Sequence, residues 1–434
     1  EQPRWVAAVD IQPRNPRVTH HARLGLDDSQ ESVRRDASDP EPGYSGMAWG
    51  HDPDGQLVTW VPGMAADKGL PSAAWSLSPR GCLVLHTHLQ PSGKPESVGF
   101  QIGIYFADRP PTISPLILRI GSRDIAIPPE VKEHSVDDEY ELPIGVSLHS
   151  IFPHAHSLCT QVHVTAAFPD GSTMSLIDID QFDENWHDNY RYTVPPRLPK
   201  GTRLRTHFTY DNSEDNPRNR HHPPKRVSYG SQADDEMADV YLQVVPTHAD
   251  EREVLVEDFA QSELRSKIVG YGRTLESHPD DTWSYEGLAA CHVSLGQPNR
   301  ALEVLAAHPN FKSPSVYLMT QLGLTHLAGG DATRGVEWLR KAATLDAEYP
   351  LAWLGLGKAL IATSSFEEAA DAFRRAARLA PELSDAHLGL ADALLRDGKL
   401  DDAGEAAERA VRSAPGLAQP LLTLASIRAR QGKM

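Results

Sequence analysis

The chain is poor in cysteine, in long apolar runs and in net positive charge. Its 434 residues include three cysteines, Cys82, Cys159 and Cys291. An odd and widely spaced set of this kind predicts neither a disulfide framework nor a zinc site built from cysteine, and it leaves the redox compartment open. The formal net charge is -17, so the attraction to phosphate backbones is missing and nucleic acid is not expected as a partner.

The hydrophobic content also limits what the chain is. No apolar run approaches the roughly 18 residues that a membrane helix requires, so no membrane span is expected. The opening sequence Glu1-Gln2-Pro3-Arg4-Trp5 lacks the pattern of a signal peptide, as a mature or trimmed product would. The length allows two to four domains, each large enough to bury a core.

Residues 1 to about 250 carry short runs rich in β-branched and aromatic residues, separated by Pro, Gly, Asn and Asp. Clear examples are 5–9, 82–88, 100–106 and 203–210. Strands at this spacing, with turn residues between them, predict an all-β sandwich or barrel. The proline-rich segment 108–112 predicts a joint, so we expect one β unit over 1–112 and a second over 113–250.

From residue 251 to residue 434 the pattern changes to amphipathic helices with an internal period of 34 residues. Leucines mark the period at Leu288, Leu322, Leu356, Leu390 and Leu424, and turn glycines mark it at Gly296, Gly330, Gly398 and Gly432, with Ser364 at the missing position. A helix-turn-helix period of this length resembles the tetratricopeptide repeat and predicts an α-solenoid. Residues 349–416 fit best, and a last helix near 417–431 would cap the array.

Histidine is abundant in the β region, and its placement is informative. The chain has 20 histidines, and short motifs occur at His20-His21, His86-Thr87-His88 and His154-Ala155-His156. Side chains i and i+2 on a strand share a face, so His154 and His156 can offer two imidazoles to one metal ion, and His86 and His88 also share a strand face. Adjacent His20 and His21 would diverge on a regular strand, so both bind one ion only where the backbone is bulged or ends.

The alternative for any isolated histidine pair is a solvated surface. His221-His222 lies among prolines and arginines, and we expect it to be a solvated loop. His86 or His88 alone is also compatible with an ordinary hydrogen-bonded sheet residue.

Taken together, the motifs resemble the ascorbate-dependent type II copper monooxygenases, the family of peptidylglycine α-hydroxylating monooxygenase and dopamine β-monooxygenase. The resemblance extends from Trp5 to about Val245, and its specificity lies in the order and spacing of motifs that are individually weak. The motifs are Val18-Thr19-His20-His21, Leu83-Val84-Leu85-His86-Thr87-His88 with Pro91-Ser92-Gly93-Lys94, His154-Ala155-His156, Asp183-Glu184-Asn185-Trp186, Tyr210-Asp211-Asn212-Ser213 and Asp235-Glu236-Met237.

The resemblance implies two antiparallel, jelly-roll-like β-sandwich copper domains, and the α-solenoid predicted from the 34-residue period follows them. His20, His21 and His88 match the site of the first domain, which stores and delivers an electron. His154, His156 and Met237 match the catalytic second site, where oxygen is activated and a C–H bond is hydroxylated. A thioether is a soft ligand that favours Cu(I), which suits Met237 to that role.

The same resemblance implies the remaining components of the reaction. It requires two copper ions per chain, separated by a solvent-filled cleft, with O2 and a one-electron reductant such as ascorbate as co-substrates. His86 and His187 stand where relatives often have glutamine. They would either tune the hydrogen bonds around the metal ligands or be polar substitutions without a functional effect. A periplasmic or secreted location is inferred from the family.

The substrate positions of the family differ in this chain. Phe152 stands where peptide-amidating members hold a carboxylate with arginine, Asp239 replaces an asparagine, and Tyr241 matches a substrate-contacting tyrosine. We therefore expect a neutral or cationic, partly apolar substrate. The disulfides of the animal members are absent from this sequence.

Two alternatives remain at this stage. The protein would be a copper-binding or scaffolding protein that recruits partners through its repeats without oxygenase activity, or a metal-free adaptor in which the ligand motifs are coincidental. In each case the concave groove of the repeats would bind a peptide or protein partner.

Overall fold

The computed structural model describes residues 4–27, 31–39, 43–44, 50–62, 64, 69–77, 81–90, 92–186, 188–230, 232, 234–413 and 418–432. The chain divides into two compact units, Glu1–Ser277 and His278–Met434. The first is rich in strands and the second is helical, so the predicted change from a strand-rich region to C-terminal helices is confirmed.

The first half of the strand-rich unit contains two small antiparallel sheets. Its elements are β1 (Arg4–Pro13), β2 (Thr19–Asp27), α1 (Glu31–Ser38), β3 (Thr59–Trp60), β4 (Trp75–Leu77), β5 (Cys82–Leu89) and β6 (Phe100–Phe106). The strand orders are β4-β1-β6 and β3-β2-β5. Alternate residues of β1 and β2, such as Val9 and Leu24, meet Trp75 in one core, because successive side chains of a strand point to opposite faces.

The second half contains larger sheets. Its strands are β7 (Leu116–Ile120), β8 (Ala126–Ile127), β9 (His134–Glu141), β10 (Val146–His154), β11 (Cys159–Ala167), β12 (Thr173–Ile179), β13 (Tyr190–Arg191), β14 (Arg197–Leu198), β15 (Arg203–Tyr210), β16 (Val227–Ser228) and β17 (Asp239–Pro246). One sheet has the order β13-β10-β17-β7 with β14 also on β10, another has β12-β11-β15-β9, and β16 pairs with β8. Val146 and Leu242 of the first sheet share a core with Val164 and Phe208 of the second.

A long helix, α2 (Arg252–Ser277), completes the strand-rich unit after a short 3-10 turn at Ala249–Glu251. Its Leu255 belongs to the core of the second half. Its Asp258 accepts a hydrogen bond of 2.8 Å from the Tyr140 hydroxyl, and Phe259 contacts the Tyr140 ring edge-on at 5.4 Å between centres. The compact helical unit therefore begins at His278, whereas the composition of the sequence changes at residue 250.

The second unit is a succession of helix pairs. Its described helices are α3 (Thr282–Ser294), α4 (Pro298–Ala306), α5 (Val316–Ala328), α6 (Ala332–Leu345), α7 (Pro350–Ala362), α8 (Phe366–Leu379), α9 (Ser384–Arg396), α10 (Leu400–Ser413) and α11 (Ala418–Arg430). Gly296, Gly330 and Gly398 adopt φ values of 69°, 83° and 80° in the turns, and Ser364 adopts 61° at the equivalent position. The left-handed conformation explains why glycine recurs there.

The small residues of the repeats make room for aromatic packing. Phe373 of α8 is 1% exposed, and a Cβ atom added at Gly357 or Gly389 would lie 2.7 or 2.3 Å from its ring. Close approach of α7, α8 and α9 therefore depends on the absence of side chains at two positions. No helix among the described residues combines the length and apolar composition that a membrane crossing demands.

Candidate metal centre

His20, His21 and His88 lie together near the ends of β2 and β5. The two strands are antiparallel, with His21 opposite His88, and their register shifts between Thr19 and His21. This irregularity allows adjacent histidines to face one point, which a regular strand would prevent. The three ring centres are 5.0 to 5.2 Å apart, and one ligand nitrogen from each ring lies within 4.8 Å of the others.

The chemical state of this cluster suits a metal ion. The Nδ1 atoms of His20 and His21 face each other at 3.1 Å, and the buried Nε2 of His20 has no hydrogen-bond partner among the described residues. Burial lowers the pKa of all three rings, and together with the neighbouring imidazoles it brings the pKa of His21 to about 2. Neutral imidazoles are good ligands for copper in either oxidation state, so the residues fit the ion that the resemblance implies.

His154 and His156 lie at the end of β10, with ring centres 5.4 Å apart. β10 pairs with β17 so that Phe152 is opposite Tyr241 and His154 is opposite Asp239. The paired register ends at His154, and the segment that leads to Met237 is connected to this strand end through Asp235 and Glu236, which bond to His156 at 2.8 and 2.9 Å. The structure therefore brings the backbone of Met237 to the strand end that carries both histidines.

Hydrogen bonds from the segment before Met237 orient His156. The Nδ1 atom of His156 lies 2.8 Å from the carbonyl oxygen of Asp235, so this nitrogen donates and Nε2 is left to bind a metal. Metal-binding histidines are commonly oriented by such a bond. The backbone N–H of His156 donates to the Glu236 carboxylate at 2.9 Å.

Glu236 is a buried carboxylate that connects the two ligand segments. It also accepts the backbone N–H groups of Leu158 at 2.7 Å and of Met237 at 3.3 Å. Burial raises the pKa of Glu236, and the three backbone donors oppose this rise by stabilising the ionised carboxylate. Glu236 belongs to the motif Asp235-Glu236-Met237, but the sequence analysis gave this residue no role. Its position directly before the proposed ligand Met237 was the signal that could have identified it.

The two histidine groups are in contact with each other. The rings of His21 and His154 are 6.1 Å apart between centres and nearly perpendicular, at 82°. The Arg23 guanidinium lies 5.8 Å from the centre of the Tyr241 ring. The resemblance implies a solvent-filled cleft between two sites, but at these positions the two halves of the strand-rich unit touch.

The predicted substrate positions separate into two groups. Phe152 and Tyr241, with ring centres 6.2 Å apart, line a small pocket that is open to solvent. Asp239 instead forms a buried ion pair with Arg119 and accepts a 3.3 Å hydrogen bond from the Tyr241 hydroxyl. Its charge is compensated within the protein, so the geometry does not support the interpretation that Asp239 repels an anionic substrate.

The charge of the pocket differs from the sequence-based expectation. Arg191 is among the lining residues, and its guanidinium lies 3.5 Å from the side-chain oxygen of Gln243. The other polar lining residues are Gln56, Thr59, Ser150 and Asn189. The lining contains no carboxylate among the described residues, which weakens the case for a cationic substrate.

The remaining predicted residues surround the three-histidine cluster or lie outside the described residues. His86 has its ring centre 6.3 Å from that of His21, and burial together with the charge of Arg23 lowers its pKa. His187 lies outside the residues that the structure describes. Glu184, whose charge acts to raise the pKa of His20, His88 and His156, forms a 3.3 Å ion pair with Arg220. Sequence reasoning gave Glu184 no individual role.

Comparison with known proteins identifies the repeats. Residues 320–384 and 354–418 match the tetratricopeptide repeat family, which confirms the predicted repeat type. These repeats favour binding to a protein or peptide partner. No curated protein matches the chain in sequence, and no comparison gives evidence for a copper monooxygenase.

Solved structures with low overall similarity include three repeat proteins. MamA (41-end) from Desulfovibrio magneticus RS-1 is 21% identical with a TM-score of 0.32, covering 36% of this chain and 87% of its own. YrrB, described as a TPR protein with an unusual peptide-binding site, is 18% identical with a TM-score of 0.31, covering 37% and 84%. A thermophilic TPR protein from Thermus thermophilus is 20% identical with a TM-score of 0.35, covering 40% and 95%. Scores this low carry no functional argument.

Proposed function

We propose that the strand-rich unit is a copper- and O2-dependent monooxygenase that hydroxylates a C–H bond of an organic substrate. The observation that carries this proposal is the gathering of His20, His21 and His88, which are separated by up to 68 residues in sequence, within ligand distance of one another. In this proposal the paired sheets of each half form two β-sandwiches, one for each metal site.

The proposed division of labour follows the two histidine groups. His20, His21 and His88 would hold one copper ion, and His154, His156 and Met237 would hold the other. Bound copper supplies one-electron redox chemistry and oxygen activation, with a reductant such as ascorbate as the electron source. Burial lowers the pKa of the first three imidazoles, which favours their neutral form, and the carbonyl of Asp235 orients the His156 ring.

The adjacent pocket supplies a place for the substrate. Phe152 precedes His154 by two residues on β10, so the two side chains share a face of the strand. Phe152 and Tyr241 would contact an apolar part of the substrate, while Ser150 offers a neutral hydroxyl group. The substrate is then an organic molecule or a peptide or protein segment that presents a C–H bond beside His154. A periplasmic or secreted location remains part of the proposal.

The tetratricopeptide repeats favour a second candidate function. A protein whose main activity is partner binding through these repeats would bind copper without oxygenase chemistry, or would bind no metal. The repeat match supports this scaffold directly, whereas the oxygenase depends on the histidine geometry. Within the oxygenase proposal, the repeats would present a protein substrate or recruit an electron donor.

Copper stoichiometry and oxygen uptake separate the two functions. The full chain is loaded with copper, the bound metal is counted, and oxygen consumption is followed with ascorbate. Candidate substrates are then analysed by mass spectrometry for a gain of one oxygen. We expect two ions per chain, and we expect Met237→Ala to abolish oxygen consumption while the ion at His20, His21 and His88 is retained. One ion or none, with no oxygen uptake, would favour the scaffold.

A further inference from the structure

We propose that the exposed face of the sheet β12-β11-β15-β9 carries a further metal site, at which His163 and His207 bind a divalent transition-metal ion such as Zn(II). The inference is independent of the proposed function, because it uses none of the residues assigned to copper. Its structural basis is a row of four side chains that crosses all four strands of the sheet. Imidazole nitrogens are favoured ligands of zinc, copper and nickel.

The register of the sheet sets this row. His163 of β11 lies opposite His207 of β15. On the outer sides, Asp178 of β12 lies opposite His163, and Asp137 of β9 lies opposite His207. Residues directly opposite each other on neighbouring strands share a face of the sheet. The order across the sheet is therefore carboxylate, imidazole, imidazole, carboxylate.

Each imidazole is held by its neighbouring carboxylate. The Nδ1 atom of His163 donates to Asp178 at 2.7 Å, and the Ser175 hydroxyl donates to the other oxygen of that carboxylate at 2.9 Å. The Nδ1 atom of His207 donates to Asp137, also at 2.7 Å. A neutral imidazole that donates through Nδ1 keeps a lone pair on Nε2. This is the arrangement by which carboxylates commonly orient metal-binding histidines.

The two Nε2 atoms turn to the same side of the row. The Nε2 atom of His163 lies 4.0 Å from the carboxylate of Asp180, and that of His207 lies 3.4 Å from the hydroxyl of Thr209. β12 and β15 both run antiparallel to β11, so they run in the same direction. Asp180 and Thr209 each follow the row by two residues in that direction. Both ring nitrogens therefore face the same neighbouring row of the sheet.

The surroundings of the two rings favour a cation from solution. The ring centres are 6.1 Å apart, with the ring planes inclined at 29°. The side chains of His163 and His207 are 27% and 42% exposed, so an ion can reach them. Asp180 is 83% exposed, and its carboxylate can rotate at little cost to act as a third ligand. The carboxylates around the rings also supply negative charge that attracts a divalent cation.

Binding at this site should be weaker than at the cluster of His20, His21 and His88. Two imidazoles are oriented here instead of three, and the carboxylate of Asp180 has to move to join them. An ion at His163 is therefore expected to leave during dialysis against metal-free buffer. The count of tightly bound copper ions is then unaffected by this site.

Equilibrium dialysis of the full chain against buffered free Zn(II) tests the proposal. Wild-type protein and His163→Ala are dialysed side by side, and the bound zinc is counted. We expect the variant to bind one zinc ion fewer than the wild type, and His207→Ala to show the same loss. Because the result is a difference between chains, zinc bound elsewhere cancels. Thermal unfolding without metal establishes that each variant is folded.

Two further variants separate a metal site from an ordinary surface ion pair. Asp137→Asn should bind zinc at this site at least tenfold more weakly, because a neutral amide is a poorer acceptor for Nδ1 of His207. His149→Ala is the matched control. It removes a partly exposed histidine of the same unit whose Nε2 atom lies 3.1 Å from the Ser147 hydroxyl, and its zinc count should equal that of the wild type.

The outcomes are distinct from those that test the oxygenase. Equal zinc counts for the wild type, His163→Ala and His207→Ala would overturn the site and leave the copper proposal unaffected. A loss in His149→Ala as large as that in His163→Ala would overturn it as well, since any histidine near the surface would then explain the binding. The loss of one ion in both His163→Ala and His207→Ala, with His149→Ala unchanged, would support it.

Discussion

The carboxylate of Glu236 accepts the backbone N–H of His156 at 2.9 Å across 80 residues of sequence. The same carboxylate also binds the N–H groups of Leu158 and Met237. One buried side chain thus fixes both segments that would supply the second copper site. A metal site depends on such supporting contacts as much as on its ligands.

Glu236→Gln should therefore weaken the second site selectively. The amide keeps the shape of the side chain, but its NH2 group would face backbone donors, and we expect a loss of about 1–3 kcal/mol of stability. Copper counting should show one ion retained at the three-histidine cluster and the second lost or bound at least tenfold more weakly. Asp234→Asn, which changes an exposed neighbouring acid, is the control, and the hypothesis is wrong if both variants bind copper equally.

His88 and His86 should respond differently to the same substitution. His88→Ala removes one of three clustered ligands, so the first copper should be lost while the second is kept. His86→Ala should retain both ions and shift the spectrum of the first, because its ring lies beside His21 without joining the cluster. Loss of an ion in His86→Ala would make His86 a ligand and revise the proposed set.

Glu263→Ala should destabilise the strand-rich unit. Glu263 of α2 pairs with Arg123 at 3.2 Å and with Arg119 at 3.7 Å, and the arginine side chains are 9% and 8% exposed. Removing Glu263 leaves the positive charge of Arg123 without this ion-pair partner, whereas Arg119 retains its ion pair with Asp239. We expect a loss of about 2 kcal/mol, less than for a fully buried pair.

Thermal unfolding of the copper-free chain measures this effect. The control is Glu276→Ala on the same helix, where the glutamate is 62% exposed and pairs with Arg273. Its expected cost is below about 1 kcal/mol, because exposed ion pairs are screened by solvent. If the two variants had equal melting temperatures, the proposed anchoring by Glu263 would be wrong.

Glycine-to-alanine substitutions should have opposite effects at two helical positions. Gly389→Ala would place a Cβ atom 2.3 Å from the Phe373 ring, and overpacking of this kind costs about 1–3 kcal/mol. Gly272→Ala on α2 meets nothing within 4 Å and should add up to about 1 kcal/mol through helix propensity. Denaturant unfolding should show a lower free energy of unfolding for Gly389→Ala and a higher one for Gly272→Ala. Copper stoichiometry should be unchanged in both variants.

The repeat architecture was largely predictable because its determinants are local and periodic. The leucine grid places Leu322, Leu356 and Leu390 at equivalent core positions, each 3% exposed. Ser364, which the period identified as the substitute for a turn glycine, adopts the same left-handed backbone with φ of 61°. Each feature depends on contacts within a repeat or between neighbouring repeats.

The candidate metal site was predictable in part. The alternation of a strand led to the expectation that His154 and His156 share a face, and their ring centres are 5.4 Å apart although β10 ends at His154. The need for a bulge at His20 and His21 followed from the same rule. The contact between His21 and His154 could not be predicted, because it depends on how two sheets dock. Likewise, nothing near Asp239 in sequence indicates that its partner is Arg119, 120 residues earlier.

The docking of α2 has a practical consequence for dividing this protein. The composition of the sequence suggests a domain boundary near residue 250. A fragment ending there would expose the core surface that Leu255 covers. It would also lose the hydrogen bond between Tyr140 and Asp258 and the ion pair between Arg123 and Glu263. A stable strand-rich fragment should therefore retain the chain through Ser277. The helix that precedes the repeats behaves as a structural part of the strand-rich unit, and an exchange of repeat arrays between related proteins would have to splice after it.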